Sequence, residues 1–147
     1  AVSHDAADPI GINVFSGNDK ATVVTDTGII SDDILHRIDD STLLVLEANY
    51  DPHMLRFGPY QPFLKQRVAS DEGHLSNEMA AQALLMMKRP DFMQVILAHR
   101  SENNNNAVLV TQTIGKMLVD GGVRIGPEMK LQHGQPNEIV SMQSVKR

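Results

Sequence analysis

Cysteine is absent from all 147 residues, which removes disulfides, zinc thiolate sites and cysteine nucleophiles together. Long apolar runs are absent too. None approaches the roughly 18 residues a membrane helix needs, so we expect neither a spanning segment nor a secretory signal, and a cytoplasmic location. The third shortage is positive charge. Net charge is −5 and the lysines and arginines are scattered, which works against a simple electrostatic grip on phosphate. Bound divalent cations would reverse that sign locally, so an anionic substrate would meet metals rather than lysines. No internal repeat is visible. What is present, 41% hydrophobic and 21% charged residues, is the composition of one globular domain with a real core. The chain opens on Ala1-Val2-Ser3-His4 rather than methionine, and we read it as a piece of a longer protein.

The pattern alternates strands and helices. Gly11 to Phe15 and Ala21 to Thr25 predict a hairpin around Ser16-Gly17-Asn18-Asp19-Lys20. Ser31 caps a short helix through Ile38, with Asp32 and Asp33 in its first turn. Thr42 to Leu46 reads as a buried strand with Glu47 at its end. Asp51 to Val68, with Pro52, Pro59 and Pro62, reads as a folded excursion of short amphipathic pieces. A helix capped by Ser76 or Asn77 runs to about Lys88, its apolar side formed by Met79, Ala83, Met86 and Met87 as core filler rather than a soft-metal site. Met93 to Ala98 is a second buried strand. After the loop Ser101 to Asn106 comes a helix over Ala107 to Asp120, ended by Gly121-Gly122. Two weaker strands follow, near Met129 to Gln132 and Glu138 to Met142. The class is α/β.

The chemistry-bearing residues sit where these strands stop. Asp26 follows a strand within Thr25-Asp26-Thr27-Gly28, Glu47 closes the next, and His99 ends Met93 to Ala98. His74 lies between them in Ser70-Asp71-Glu72-Gly73-His74-Leu75-Ser76-Asn77. Strand ends deliver polar heads to the rim of a sheet, where metal ligands and proton-transfer groups gather. The carboxylate of Asp26 has two oxygens with which to bridge two metals, and the imidazoles of His4 and His99 suit zinc, manganese or iron. Taken singly, each of these residues also reads as an ordinary hydrogen-bonded structural group. His36 and His133 read as structural or solvent-exposed, and His53 as an exposed loop histidine.

Read in order, several segments resemble the carboxyl-terminal half of a metallo-β-lactamase-fold hydrolase, most closely the YycJ/WalJ/VicX group of metal-dependent DNA exonucleases. They are Ser3-His4-Asp5-Ala6 with Asp8-Pro9-Ile10-Gly11, Thr25-Asp26-Thr27-Gly28, Leu46-Glu47-Ala48-Asn49-Tyr50-Asp51, Met54-Leu55, Leu64-Lys65-Gln66-Arg67, Gly73-His74-Leu75-Ser76-Asn77, and Leu97-Ala98-His99 leading to Asn103-Asn104-Asn105.

The resemblance implies a fold, one half of a four-layer αββα sandwich, with residues 1–147 as the carboxyl-terminal part of a single domain. It implies two divalent ions (Zn, Mn or Fe) and gives His4 and His99 as metal ligands, with Asp26 as the bridging carboxylate. It also implies His74 as the proton donor to the leaving oxygen and Glu47 as the group that aims it. Two departures limit it. The family's His-x-His-x-Asp-His loop is absent from these residues, and Tyr50 stands where the group often has histidine, leaving the roles of Tyr50 and His53 open. The implied function is phosphodiester hydrolysis on DNA by the complete protein, with this piece inactive by itself. RNA, a cyclic nucleotide or a thioester is the alternative substrate, and a non-catalytic interaction module with a degenerate metal site is the alternative class. The missing half, or a second copy of the chain, is expected to cover an open sheet face.

Overall fold

The computed structural model describes residues 1–135 and 138–141. Strands β1 (Ile12–Ser16) and β2 (Asp19–Val24) form the expected hairpin. Ser16 faces Asp19 across a tight turn, where Gly17 takes a φ of 59°. Helix α1 (Asp32–Ile38) starts at Ser31, whose side chain accepts from Ile34 N. Strand β3 (Leu43–Glu47) takes Glu47 in as its last residue.

Two short helices fill the proline-rich excursion, α2 (Pro52–Phe57) and α3 (Pro62–Val68), each with proline in its first turn. Helix α4 (Asn77–Met86), strand β4 (Met93–Ala98), helix α5 (Ala107–Asp120) and strand β5 (Met129–His133) complete the described elements. Met86 is a correction: it is exposed. α4 buries Ala80, Ala81 and Leu84, and Met86 lies about 200° round the helix from Leu84. The strand expected over Glu138 to Met142 is not formed at 138–141, and Met142 lies outside the described residues.

The five-stranded sheet has the order β1-β2-β3-β4-β5. β1 is antiparallel to β2, and the later neighbours are parallel. Parallel crossovers are right-handed almost without exception, so a parallel order that never reverses puts every crossover helix on one face. Burial follows that rule. Leu44, Leu46, Val95 and Leu97 point toward the helices and are buried, in one cluster with Ile34, Ile38, Leu84, Ile114 and Leu118. On the opposite face Leu43, Val45 and Ile96 are half-buried, while Ile12 and Val14 are 50% and 58% exposed. Five strands and their helices therefore form a two-layer unit with one bare apolar sheet face.

Buried amides tie the helix starts to the carboxyl edge of the sheet. Asn105 Nδ2 donates to Ala48 O at 3.1 Å and to Asn77 Oδ1 at 2.8 Å, and Asn77 Nδ2 donates back to Asn105 Oδ1 at 3.1 Å. Truncating Asn105 to alanine leaves the Ala48 carbonyl and the Asn77 amide short of partners. We expect Asn105→Ala to lower unfolding stability by about 1–3 kcal/mol with an unchanged urea m-value. A shift within measurement error would show that these amides re-pair without it.

Candidate functional site

The polar heads meet at the carboxyl edge of the parallel strands, the side on which open α/β sheets place their ligands. Asp26 follows β2, Glu47 ends β3 and His99 follows β4. Asp26 and His99 both hold left-handed backbone, with φ of 57° and 52°. A non-glycine residue there carries strain of about 1–3 kcal/mol, and such strain gathers at functional sites. Close backbone approach sets the other walls. A Cβ on Gly28 would fall 2.3 Å from Asp71 O, and one on Gly73 would fall 2.2 Å from Arg67 O. Only glycine lets these loops close on one another, and His74 N then donates to Val68 O at 2.9 Å.

Glu47 is the centre of the arrangement. Its carboxylate is fully buried. Oε1 lies 2.7 Å from His74 Nδ1 and 2.8 Å from His99 Nδ1, while Oε2 accepts from Thr27 N at 3.1 Å. A charged carboxylate can only accept, so both imidazoles carry their proton on Nδ1 and turn Nε2 away from Glu47. Burial pushes the Glu47 carboxyl up, but the bonds from His74 and His99 outweigh it and hold the group below its ordinary value. The bond to Glu47 raises His99, against the opposing effect of burial.

His4 and Asp26 complete the cluster. Asp26 Oδ1 is 3.7 Å from His99 Nε2 and 3.9 Å from His4 Nε2. The rings of His4 and His74 stand 5.3 Å apart, and those of His74 and His99 5.1 Å. One donor atom from each of His4, Asp26 and His74 lies within 4.8 Å of the others, as it does for Glu47, His74 and His99. This is a donor set suited to a divalent transition metal, with Glu47 as the carboxylate that fixes ring orientation. His4 adds a condition. Its Nδ1 accepts from Ala6 N at 3.1 Å and lies 3.5 Å from Asp5 Oδ1, so ligation through Nε2 requires the proton on Nδ1, directed to Asp5.

His4, Asp26, Glu47, His74 and His99 are thus brought together. Glu47 and His74 do not form a surface salt bridge, because Glu47 has no exposed side chain. The bond from Glu47 to His99 was not anticipated from the sequence, and neither was the part played by Asn49, whose amide donates to His99 O at 2.8 Å. Asn49, Tyr60, Arg67 and Arg100 line the same open cleft of about 500 Å³ as the histidines. His53 is not among the lining residues; it sits exposed on α2 with its ring 4.6 Å from that of Phe57. Tyr50 is buried in a satellite cluster with Leu55 and Val68. His133 ends β5, with Nε2 2.9 Å from the Thr111 hydroxyl.

Fold and site together define an α/β unit with a histidine and carboxylate cluster, fit for a divalent cation, at the carboxyl edge of its sheet. The particular relatives are nucleases. The chain is 34% identical over 144 residues to exodeoxyribonuclease YycJ of Bacillus anthracis, a match covering 98% of this chain and 54% of that protein. It is 33% identical over 136 residues to exodeoxyribonuclease WalJ from two strains of Streptococcus pneumoniae, covering 92% of this chain and 51% of WalJ. The chain is a homologue of the YycJ and WalJ exodeoxyribonucleases, and it spans about half the length of these curated relatives. No family model matches, and no solved structure matches. No helix among the described residues is long and apolar enough to cross a membrane.

The opposed shifts of Glu47 and His99 fix a pH dependence. Glu47, depressed on folding, contributes stability above the ordinary carboxylate value of about 4.3 and loses it as pH falls through its folded value. His99, raised on folding, contributes below the ordinary value of about 6.5 and loses it as pH rises through its folded value. In metal-free protein the pair should stabilise most between about pH 4.5 and 6.5. The ring titration of His99 followed by NMR should move down in Glu47→Gln; an unmoved titration would dissociate His99 from Glu47.

Proposed function

We propose that this chain is the carboxyl-terminal part of a metal-dependent phosphodiester hydrolase acting on DNA as an exonuclease, within a metallo-β-lactamase-type αββα domain. The observation that carries the reading is the Glu47 carboxylate shared by His74 and His99 beside His4 and Asp26. The YycJ and WalJ likeness over nearly the whole chain supports the substrate class. His4, Asp26 and His99 would hold the divalent ions. Those ions would supply Lewis-acid polarisation of the phosphoryl group. Protonated His74 would give its Nε2 proton to the leaving oxygen, while Glu47 stabilises the charged ring and fixes its orientation. Asn49 would hold the backbone of His99 in its strained conformation.

These residues supply an incomplete ligand set for two ions, so we infer that this piece alone is inactive and that the rest of the longer protein supplies the remaining ligands. The bare sheet face carrying Ile12, Val14 and Val23 is where that other half, or a second copy, would pack. Expressed alone, the chain should sediment as an associated species and bind the other half when the two are mixed. A stable, well-folded monomer indifferent to the other half would end this part of the reading.

In the complete protein, chelation should abolish degradation of DNA, and added manganese or zinc should restore it. His74→Ala should lose about 10²- to 10⁴-fold in rate while metal content stays unchanged, whereas His99→Ala should lose metal. Loss of metal in His74→Ala would make that ring a ligand with His4 and Asp26 instead of the acid. Assays on RNA, a cyclic nucleotide and a thioester under the same conditions separate the alternative substrates.

A further inference from the structure

We propose that the α2–α3 excursion is a stacking and phosphate-binding platform that leads a single-stranded DNA end into the cleft, an inference that rests on the phosphodiesterase reading. Charge is segregated there. Between Pro52 and Val68 the charged side chains are Arg56, Lys65 and Arg67, and this stretch holds no aspartate or glutamate although the whole chain carries a net charge of −5. The aromatic residues are concentrated in the same place. In a chain only 4% aromatic, this stretch carries Phe57, Tyr60 and Phe63.

Packing does not account for the two phenylalanines. The satellite core beneath the helices is made by Tyr50, Leu55 and Val68, with Tyr60 and Leu64 against it. Phe57 and Phe63 stay outside that core, 67% and 70% exposed. Phe57 is flanked by cationic or polarisable groups, with Arg56 5.3 Å above its ring and the His53 ring at 4.6 Å. Lys65 Nζ donates to Arg56 O at 2.8 Å, which ties α3 to α2. The segment is continuous with the site, since Tyr60, Leu64 and Arg67 line the cleft that holds His4, His74 and His99.

Arg67 is paired with Asp5, its Nη2 donating to Asp5 Oδ1 at 3.0 Å, so the cations left to a ligand are Arg56 and Lys65. Exposed rings beside these two cations match the chemistry of an unpaired nucleic-acid strand. Bases stack on the rings, and phosphates are held by the cations. A base-paired duplex hides its base faces, so the occupant is a frayed or single-stranded end. Stacking is indifferent to base identity, and the platform therefore carries little sequence preference.

The test uses the complete metal-free protein, so that bound strands are not degraded, with fluorescein-labelled oligothymidine and a blunt duplex of equal length read by anisotropy. Oligothymidine should bind more tightly than the duplex. Phe57→Ala and Phe63→Ala should each weaken oligothymidine binding roughly tenfold or more, and Phe57→Tyr should retain it. Arg56→Gln should weaken binding and lower its salt dependence. Both phenylalanines are exposed, so their replacement leaves the core intact. Alanine variants that bind like a wild type able to degrade DNA would overturn the platform and leave the phosphodiesterase reading standing. A wild type that neither binds nor degrades DNA would overturn both. Unchanged DNA binding with loss of self-association in sedimentation would make the face a protein contact and overturn the proposal.

Discussion

A single buried carboxylate organises this protein. An unpaired carboxylate in an apolar interior is penalised by several kcal/mol, so Glu47 is tolerable only with partners around it. Those partners come from far along the chain: Thr27 N after β2, His74 before α4 and His99 after β4. Each must arrive for Glu47 to be satisfied, and each arrival also builds the cleft. Stability and chemistry therefore draw on the same atoms. The strained backbones of Asp26 and His99 are held on either side of this carboxylate, which is how two unfavourable conformations persist at one rim.

A second constraint is topological, and it explains two features at once. Parallel strands in unreversed order send every crossover helix to the same face. One result is that the strand ends line up, so that residues remote in sequence share an edge. The other is that the opposite face is left with Ile12, Val14 and Val23 toward solvent, although parallel sheets are normally covered on both sides. A chain spanning about half the length of its relatives gives that bare face a physical context.

Much of this could be read from the residues because it depends on short-range pattern. Strands β3 and β4 are runs of aliphatic residues broken by a polar head, and Ser31, Ser76 and Asn106 are side-chain caps at helix starts. Pattern failed where tertiary packing decides. Met86 looks like core by composition, but the helix rotates it to solvent. The tail near Glu138 has strand-forming residues without a strand at 138–141. Pairing of Glu47 with His99 as well as His74 depends on β3 and β4 being neighbours in register, with Glu47 opposite Ala98, and sequence spacing does not encode that. The glycines at 28 and 73 gave a partial signal: their need for close backbone approach becomes visible only once the facing loops are known.

Charge poses the remaining problem, because the proposed substrate is an acidic polymer and the chain itself carries a net charge of −5. Glu47 would repel a phosphate only weakly, since its carboxylate is fully buried and hydrogen-bonded to two imidazoles. Asp26 is partly exposed at the rim between His4 and His99, and a divalent ion held there would reverse its field. Screening in physiological salt confines the influence of the other carboxylates to about 8 Å, so local sign matters more than net charge. Along the cleft Arg100 stands with Glu102 and Arg67 is paired with Asp5, so a favourable local sign has to come from the cations of the carboxylate-free stretch of α2 and α3, and from any divalent ion held at the rim.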